Sequence, residues 1–455
     1  MRSRVRSPKR AARPGRWGLR GVLAACAALA AYAALAGCAG VAEEEDPRFR
    51  PPPDALVGGG QDAGVGGVST ARLLFFQVGA DGYVAEASGA SPRIICENAT
   101  PVPDLEGGRV LCRPDQADQP LRLYDVTNDL ELVDFPAWRA SALGPPRLSP
   151  EGSRVAFKAE AEDLSTVIRV MDDNGVLVAD GRGFELLGFA REDVVILDTN
   201  FPSVWRIGSD PVPVMGGRPR ATGPDPAGLV YEVISNTDKV FFHDADTGRA
   251  RELAEGILAD VLGKRVLVIQ NDPAPDRVGL KRALLLDLAD GAFEAFAPLP
   301  SVPFDRTLSV RLMGPQAFVV ELASVTPCPG GSVLTPTRTT WYSTLRDEVF
   351  EVDDTGGLPH KAQVDLRGEK ALILDVDACG NPSGSGRVKN LRTGEVLRLG
   401  EVFQGAFSAA TLSPDGRFVA LAGVEGVTVV DLATTPPTTR LAGAGAPGGT
   451  VLEFR

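Results

Sequence analysis

From Leu73 onward the chain repeats one small plan: an apolar run, a polar turn rich in Asp and Gly, and a second apolar run. Examples are Leu121-Arg122-Leu123-Tyr124-Asp125, Ile168-Arg169-Val170-Met171-Asp172 turning at Asn174-Gly175, and Val240-Phe241-Phe242-His243-Asp244 turning at Thr247-Gly248. Asp and Gly satisfy the backbone of tight turns, so each such unit reads as a β-hairpin. Another apolar strand precedes each hairpin: Arg109–Cys112, Arg154–Phe157, Val194–Leu197, Leu229–Val233, Arg265–Ile269, Phe318–Leu322, Ala371–Leu374 and Phe418–Leu421. The units recur every 37–56 residues or so, roughly the period of four-stranded propeller blades. No long helical period follows residue 40, which disfavours alternating strand-helix folds. The 51 glycines and 36 prolines are spread along the chain, as many short elements require. The expectation is an all-β chain: a β-propeller of four-stranded antiparallel blades, eight in number, with seven as the alternative. The eight units lie between Ile94 and Ala442. A hairpin at Leu73–Ala87 and a last strand at Val451–Phe454 are left over, suited to closing the ring and so removing free sheet edges.

Two turns are more specific. Ser149-Pro150-Glu151-Gly152-Ser153-Arg154-Val155-Ala156-Phe157 parallels Ser413-Pro414-Asp415-Gly416-Arg417-Phe418-Val419-Ala420-Leu421. Pro sets φ at the second turn position, the acid bonds nearby backbone, and Gly accepts positive φ. Both stretches resemble the WD40-like PD40 repeat of TolB-type propellers. Elsewhere the motif is degraded: Leu366-Arg367-Gly368-Glu369-Lys370 keeps the turn and loses the Pro. The resemblance implies a protein partner in the cell envelope.

The first 37 residues read as an address. Eight Lys or Arg, from Arg2 to Arg20, precede an uncharged apolar stretch from Gly21 to Leu35. That stretch suits a signal peptide core and is short for a bilayer span of about 20 residues. It closes with Leu35-Ala36-Gly37-Cys38, which resembles the lipobox of bacterial lipoproteins. The resemblance implies cleavage before Cys38 and acylation of its thiol, with two or three acyl chains giving a stable membrane anchor. Ala39, rather than Asp, leans within that family toward the outer membrane. Three regions are therefore expected: residues 1–37 a signal peptide, 38–70 the lipidated Cys38 with a flexible Pro- and Gly-rich linker, and 71–455 the propeller.

Cysteine usage agrees with export. With Cys26 in the signal peptide and Cys38 lipidated, Cys96, Cys112, Cys328 and Cys379 remain. An even number in an exported chain favours two disulfides. Local pairing, Cys96–Cys112 and Cys328–Cys379, is preferred among the three connectivities; four buried thiols are the alternative. A zinc site is disfavoured, because no Cys-x-x-Cys occurs and no His lies close by.

Charge and motifs narrow the function. The formal net charge is −12, and loss of the eight basic residues of the signal region leaves about −20. Phosphate backbones repel such a chain, so no nucleic-acid partner is expected. Only two histidines occur, His243 on an apolar strand and His360 after Pro359; the first is expected packed, the second solvated. No His-Glu-x-x-His, Gly-x-Ser-x-Gly or Walker A sequence is present. Gly443-Ala444-Gly445-Ala446-Pro447-Gly448 fits Gly-x-Gly-x-x-Gly formally, yet Pro447 stands where a helix should begin, so it reads as a loop. The Asp pairs Asp172/Asp173, Asp244/Asp246, Asp353/Asp354 and Asp375/Asp377 fall mostly in repeated turns, where Asp serves the backbone. Thr326–Thr340 and Pro382–Gly386 read as polar loops that a Cys328–Cys379 bridge would tie together; a plain structural staple is the preferred reading, and a ridge on one face, the place to look for binding, is the alternative. The expected function is a non-catalytic binding or scaffold module, without cofactor or metal, anchored to the membrane through Cys38 in the cell envelope. The alternative is a carboxylate-based glycosidase or lyase on a propeller scaffold.

Overall fold

The computed structural model describes residues 72–455 except 105–106, 115–118, 136–144, 161–164, 184, 200, 235–237, 272–280, 290–292, 301–305, 315–316, 330, 344–347, 353–357, 404 and 446–451. Residues 1–71, with the expected signal peptide, Cys38 and the expected linker, lie outside the described residues, as do Asp353 and Asp354. The described strands form nine antiparallel sheets of four strands each. Within each sheet consecutive strands pair with their neighbours, so every blade is a meander. Blades 2 to 9 run Ala99–Phe135, Arg147–Arg182, Glu185–Pro213, Gly217–Glu255, Ile257–Pro298, Arg306–Glu351, His360–Arg398 and Phe407–Ala444. Blade 1 is built from both ends of the domain: Leu452–Phe454 is its innermost strand, followed outward by Leu73–Val78, Asp81–Glu86 and Arg93–Cys96.

The chain therefore has nine blades, which corrects the expected eight. The hairpin and last strand set aside for closure, together with Arg93–Cys96, make a complete blade of their own. Leu74, Phe75 and Phe76 face Phe454, Glu453 and Leu452 in register. Beyond that pairing, the amides of Arg72 and Leu73 donate to the Arg455 carbonyl, at 2.8 and 3.0 Å.

The second strand of each blade explains the packing. Side chains alternate across a strand, and here both faces meet another blade, so the strand is apolar throughout rather than alternating. Val194 and Ile196 join a cluster with Leu229 and Tyr231 of blade 5, while Val195 and Leu197 join Ile168 and Val170 of blade 3. In blade 9, Val419 and Leu421 pack toward Leu372 and Leu374 of blade 8. Phe418, Ala420 and Ala422 pack toward Phe76 and Phe454 of blade 1. Nine clusters of this kind fill the spaces between successive blades, and the cluster between blades 9 and 1 completes the ring. Each fully buried Val, Leu or Phe contributes about 1.5–3 kcal/mol. A single helical turn, Leu399–Val402, lies between blades 8 and 9 with Leu399 buried in their interface.

This meander gives the ring two unlike faces. Turns from the innermost to the second strand and from the third to the outer strand lie on one, the turn face. Connections from the second to the third strand, and crossings from blade to blade, lie on the other, the loop face. Arg72 and Arg455 both stand at the turn face, where the chain enters and leaves the ring.

Candidate binding surface

The turn face is closed by short, self-satisfied turns. In blade 9 the Ser413 hydroxyl accepts the amides of Arg417 and Phe418, at 3.1 and 2.8 Å, so the Ser-Pro-Asp-Gly turn supports its own next strand. In blade 8 Asp365 takes that place, its carboxylate accepting the amides of Glu369 and Lys370, both at 2.9 Å. The Lys370 ammonium then donates to the Gly416 carbonyl of the next blade at 3.1 Å. Blades 2 and 3 repeat this clasp, with Arg109 donating to the Gly152 carbonyl at 3.0 Å. The third-to-outer turns use the acids expected for them. Asp172 accepts the amides of Asn174 and Val176, and Asp244 those of Asp246 and Thr247. Asp246 also pairs with Arg191 and Arg206, which hold its carboxyl below the usual range.

Three acids are shifted the other way. Burial raises Asp104, Glu232 and Asp365, the last to about 6. Each is almost wholly buried, Asp104 and Asp365 beneath neighbouring turns. Glu232 accepts the Leu258 amide at 3.2 Å and pairs with Arg218 at 3.7 Å, tying blade 5 to blade 6.

The histidines divide. His243 is buried on the third strand of blade 5, as expected, and burial lowers its pKa. His360 is also fully buried, which corrects the expected solvated loop residue. It opens the innermost strand of blade 8, opposite Asp375. Its Nε2 lies 2.9 Å from the Thr339 hydroxyl of blade 7, and its Nδ1 lies 3.0 Å from the Leu358 carbonyl. A hydroxyl, an imidazole and an orienting acceptor are the parts of a nucleophile-base pair, but this one is sealed in the blade interface and works as a polar tie.

The two disulfides are those expected by local pairing. Cys96–Cys112 joins the outer strand of blade 1 to the second strand of blade 2, and Cys328–Cys379 joins blade 7 to blade 8. The segments around the second bridge differ from the expected loops. Blade 7 carries strands of 12 and 13 residues, Ala317–Cys328 and Gly331–Ser343, paired to their tip. Thr326–Thr340 is thus mostly β-hairpin, and Pro382–Gly386 begins the strand Pro382–Asn390. Thr335, Thr337 and Thr339 are buried along this hairpin; Thr335 donates to the Ala378 carbonyl at 3.1 Å, beside the bridge. The Asp377 carboxylate accepts the amides of Cys379 and Asn381 and shapes the loop that presents Cys379. A ridge does form on the loop face, but as a hairpin stapled to the neighbouring blade.

Exposed apolar side chains complete the contrast between the faces. Among the described residues, of the large ones that lie outside strands, only Val176 is on the turn face; Phe201, Met215, Ile234, Leu358 and Val424 are on the loop face. Met215, Ile234 and Val424 are 70–78% exposed. Phe201, Met215 and Ile234 come from adjoining positions in blades 4 and 5, and Leu358 lies next to the stapled hairpin. Sequence reading pointed to the hairpin and missed the apolar loops, whose signal is single large residues set in connections.

The fold defines the class: the chain is a β-propeller. No family model matches it, and no curated protein matches it. Among solved structures it is similar to a eukaryotic initiation factor, with a TM-score of 0.52 and 13% identity over 85% of this chain and 98% of that one. TolB from Acinetobacter baumannii gives a TM-score of 0.27 and 15% identity, over 73% of this chain and 76% of that one. The C-terminal WD40 domain of Sif2 gives 0.39 and 10% identity, over 79% and 92%. At these identities the likeness concerns the fold.

Proposed function

We propose that this chain is an exported lipoprotein, anchored through Cys38 in the cell envelope, whose propeller holds a protein or envelope-polymer partner on its loop face without catalysing a reaction. One observation carries the reading. Among the described residues, all but one of the exposed large apolar side chains set in connections lie on the loop face, while the described turns of the opposite face are closed by their own polar groups. Isolated surface apolar residues need no explanation, but a gathering on one face marks an interaction site. Two disulfides accord with an oxidising compartment. The chain enters the ring at Arg72 on the turn face, opposite the loop face. The shifted acids support binding over catalysis, since Asp104, Glu232 and Asp365 are buried in blade contacts.

Site-specific photocrosslinking in cells tests the reading. A crosslinker at Met215 or Ile234 should give discrete adducts, and one at the exposed turn-face Thr247 should give none. Equal adducts from both faces, or adducts from Thr247 alone, would overturn it.

A further inference from the structure

The hairpin of blade 7 outgrows its sheet. On one side the innermost strand reaches only as far as Ser324, which Arg306 opposes, and on the other the outer strand reaches only Thr340. Residues 325–328 and 331–334 continue as a pair, with no third strand beside them among the described residues. A two-stranded hairpin is marginally stable by itself in water. The tip is therefore held by what joins it to blade 8. At its base the Thr335 hydroxyl donates to the Ala378 carbonyl at 3.1 Å. Further out Val333 lies against Gly380, where a Cβ would fall 3.4 Å from its Cγ1. The Cys328–Cys379 bridge stands at the very end.

The two disulfides differ in access. Cys96 and Cys112 are 1% and 2% exposed and belong to the core between blades 1 and 2. Cys328 and Cys379 are half-buried, and their neighbours Pro327, Pro329, Asp377 and Ala378 are exposed. Thiol–disulfide exchange requires a thiolate to reach a sulfur, so access governs which bridge reacts first. The two elements joined by the second bridge also have backbone pairing of their own. Cys328 pairs with Gly331 across the hairpin end. The loop that carries Cys379 is closed from within: the Asp377 amide donates to the Asn381 carbonyl at 2.9 Å, and the Gly380 amide to the Asp377 carbonyl at 3.0 Å. Opening this bridge costs neither element those pairings.

We propose that Cys328–Cys379 is a reversible thiol switch: a dithiol reduces it in the folded chain and frees the tip of the blade 7 hairpin from blade 8, while Cys96–Cys112 stays closed. A thiolate of the dithiol attacks one sulfur of the bridge. The electron pair of the S–S bond leaves on the other sulfur, which takes up a proton. The second thiol of the dithiol loses its proton and displaces the cysteine held in the mixed disulfide, which leaves as a thiolate and is protonated in turn. The dithiol is oxidised to a disulfide, and Cys328 and Cys379 are reduced to thiols. The tip then keeps only the Thr335 hydrogen bond and the Val333 contact of the three ties named above. The proposal goes beyond the loop-face reading and stands independently of it.

Differential alkylation of the folded full chain tests it. Free thiols are blocked with N-ethylmaleimide, dithiothreitol is added, and samples taken over time are labelled with iodoacetamide and read cysteine by cysteine by mass spectrometry. Cys328 and Cys379 should become labelled together, about tenfold or more faster than Cys96 and Cys112. Hydrogen exchange then reads the tip. Its amides at Thr326 and Val333 should exchange faster in the reduced chain, and equally fast in the paired variant Cys328→Ser with Cys379→Ser, while Val319 and Val320 in the core of blade 7 keep their protection. Glutathione disulfide should restore slow exchange in the reduced chain but not in the paired variant. Equal labelling rates for the two bridges, reduction of Cys328–Cys379 only together with loss of the β-sheet circular dichroism, or a tip whose exchange is unchanged by reduction would each overturn the proposal.

Discussion

The carboxylate of Asp365 in blade 8 occupies the space that a side chain at position 416 in blade 9 would need. Gly416 has φ +70°, and a Cβ there would run into Asp365 Oδ2, while Lys370 reaches past it to the Gly416 carbonyl. Gly152 stands in the same relation to Asp104, with a Cβ falling 2.9 Å from its Oδ2. Neighbouring turns are thus interlocked, which is how short polar turns position successive blades.

Gly416→Ala is expected to lose about 1–2 kcal/mol from its left-handed backbone alone. Collision with Asp365 adds about 1–3 kcal/mol. Gly248 has φ +64° and open space around it, so Gly248→Ala should show only the first loss. Urea denaturation of both variants measures the difference; equal losses would mean that Asp365 yields freely.

Asp365 also gives stability an unusual pH dependence. Its folded pKa of about 6 lies above the ordinary 3.8. Between those values the folded state keeps a proton that the unfolded state releases, so stability falls as pH rises through the window and levels off above it. The full effect is up to about 3 kcal/mol. Denaturation midpoints measured across this window should fall in the unaltered chain relative to Asp365→Asn, which cannot titrate there. Parallel curves would contradict the shift.

Each disulfide joins two blades, so its loss should loosen a boundary. The bridges span 16 and 51 residues. Chain entropy assigns them about 3 and 4 kcal/mol. Paired Cys→Ser replacement at Cys328 and Cys379 should therefore cost more than replacement at Cys96 and Cys112, as read by chemical denaturation.

The anchor is tested by Cys38→Ser. The variant should remain unprocessed, or be released from the membrane fraction, when cells are fractionated and blotted. Unaltered processing and membrane attachment would remove the lipoprotein reading.

Much of this architecture is legible in the sequence because the second strand of every blade is buried on both faces and reads as an unbroken apolar run, as at Val194–Leu197. The disulfide pairing is legible because both bridges are local. The ninth blade is hidden because its strands come from opposite ends of the domain, Leu452–Phe454 and Leu73–Cys96, and neither piece looks complete alone. The hairpin of blade 7 is masked by its Thr, Pro and Gly content, although Thr335, Thr337 and Thr339 alternate as β-branched strand residues do. His360 follows Pro359 and reads as loop; the better signal is the alternation of His360, Ala362 and Val364, all buried.

The two faces, and the side on which Arg72 and Arg455 meet, depend on closure of the ring. The direct measurement is the thermal unfolding of a chain lacking residues 451–455, whose Leu452 and Phe454 are buried between blades 1 and 9. A closed ring of nine blades predicts loss of the single cooperative transition. Unfolding with unchanged midpoint and cooperativity would contradict it.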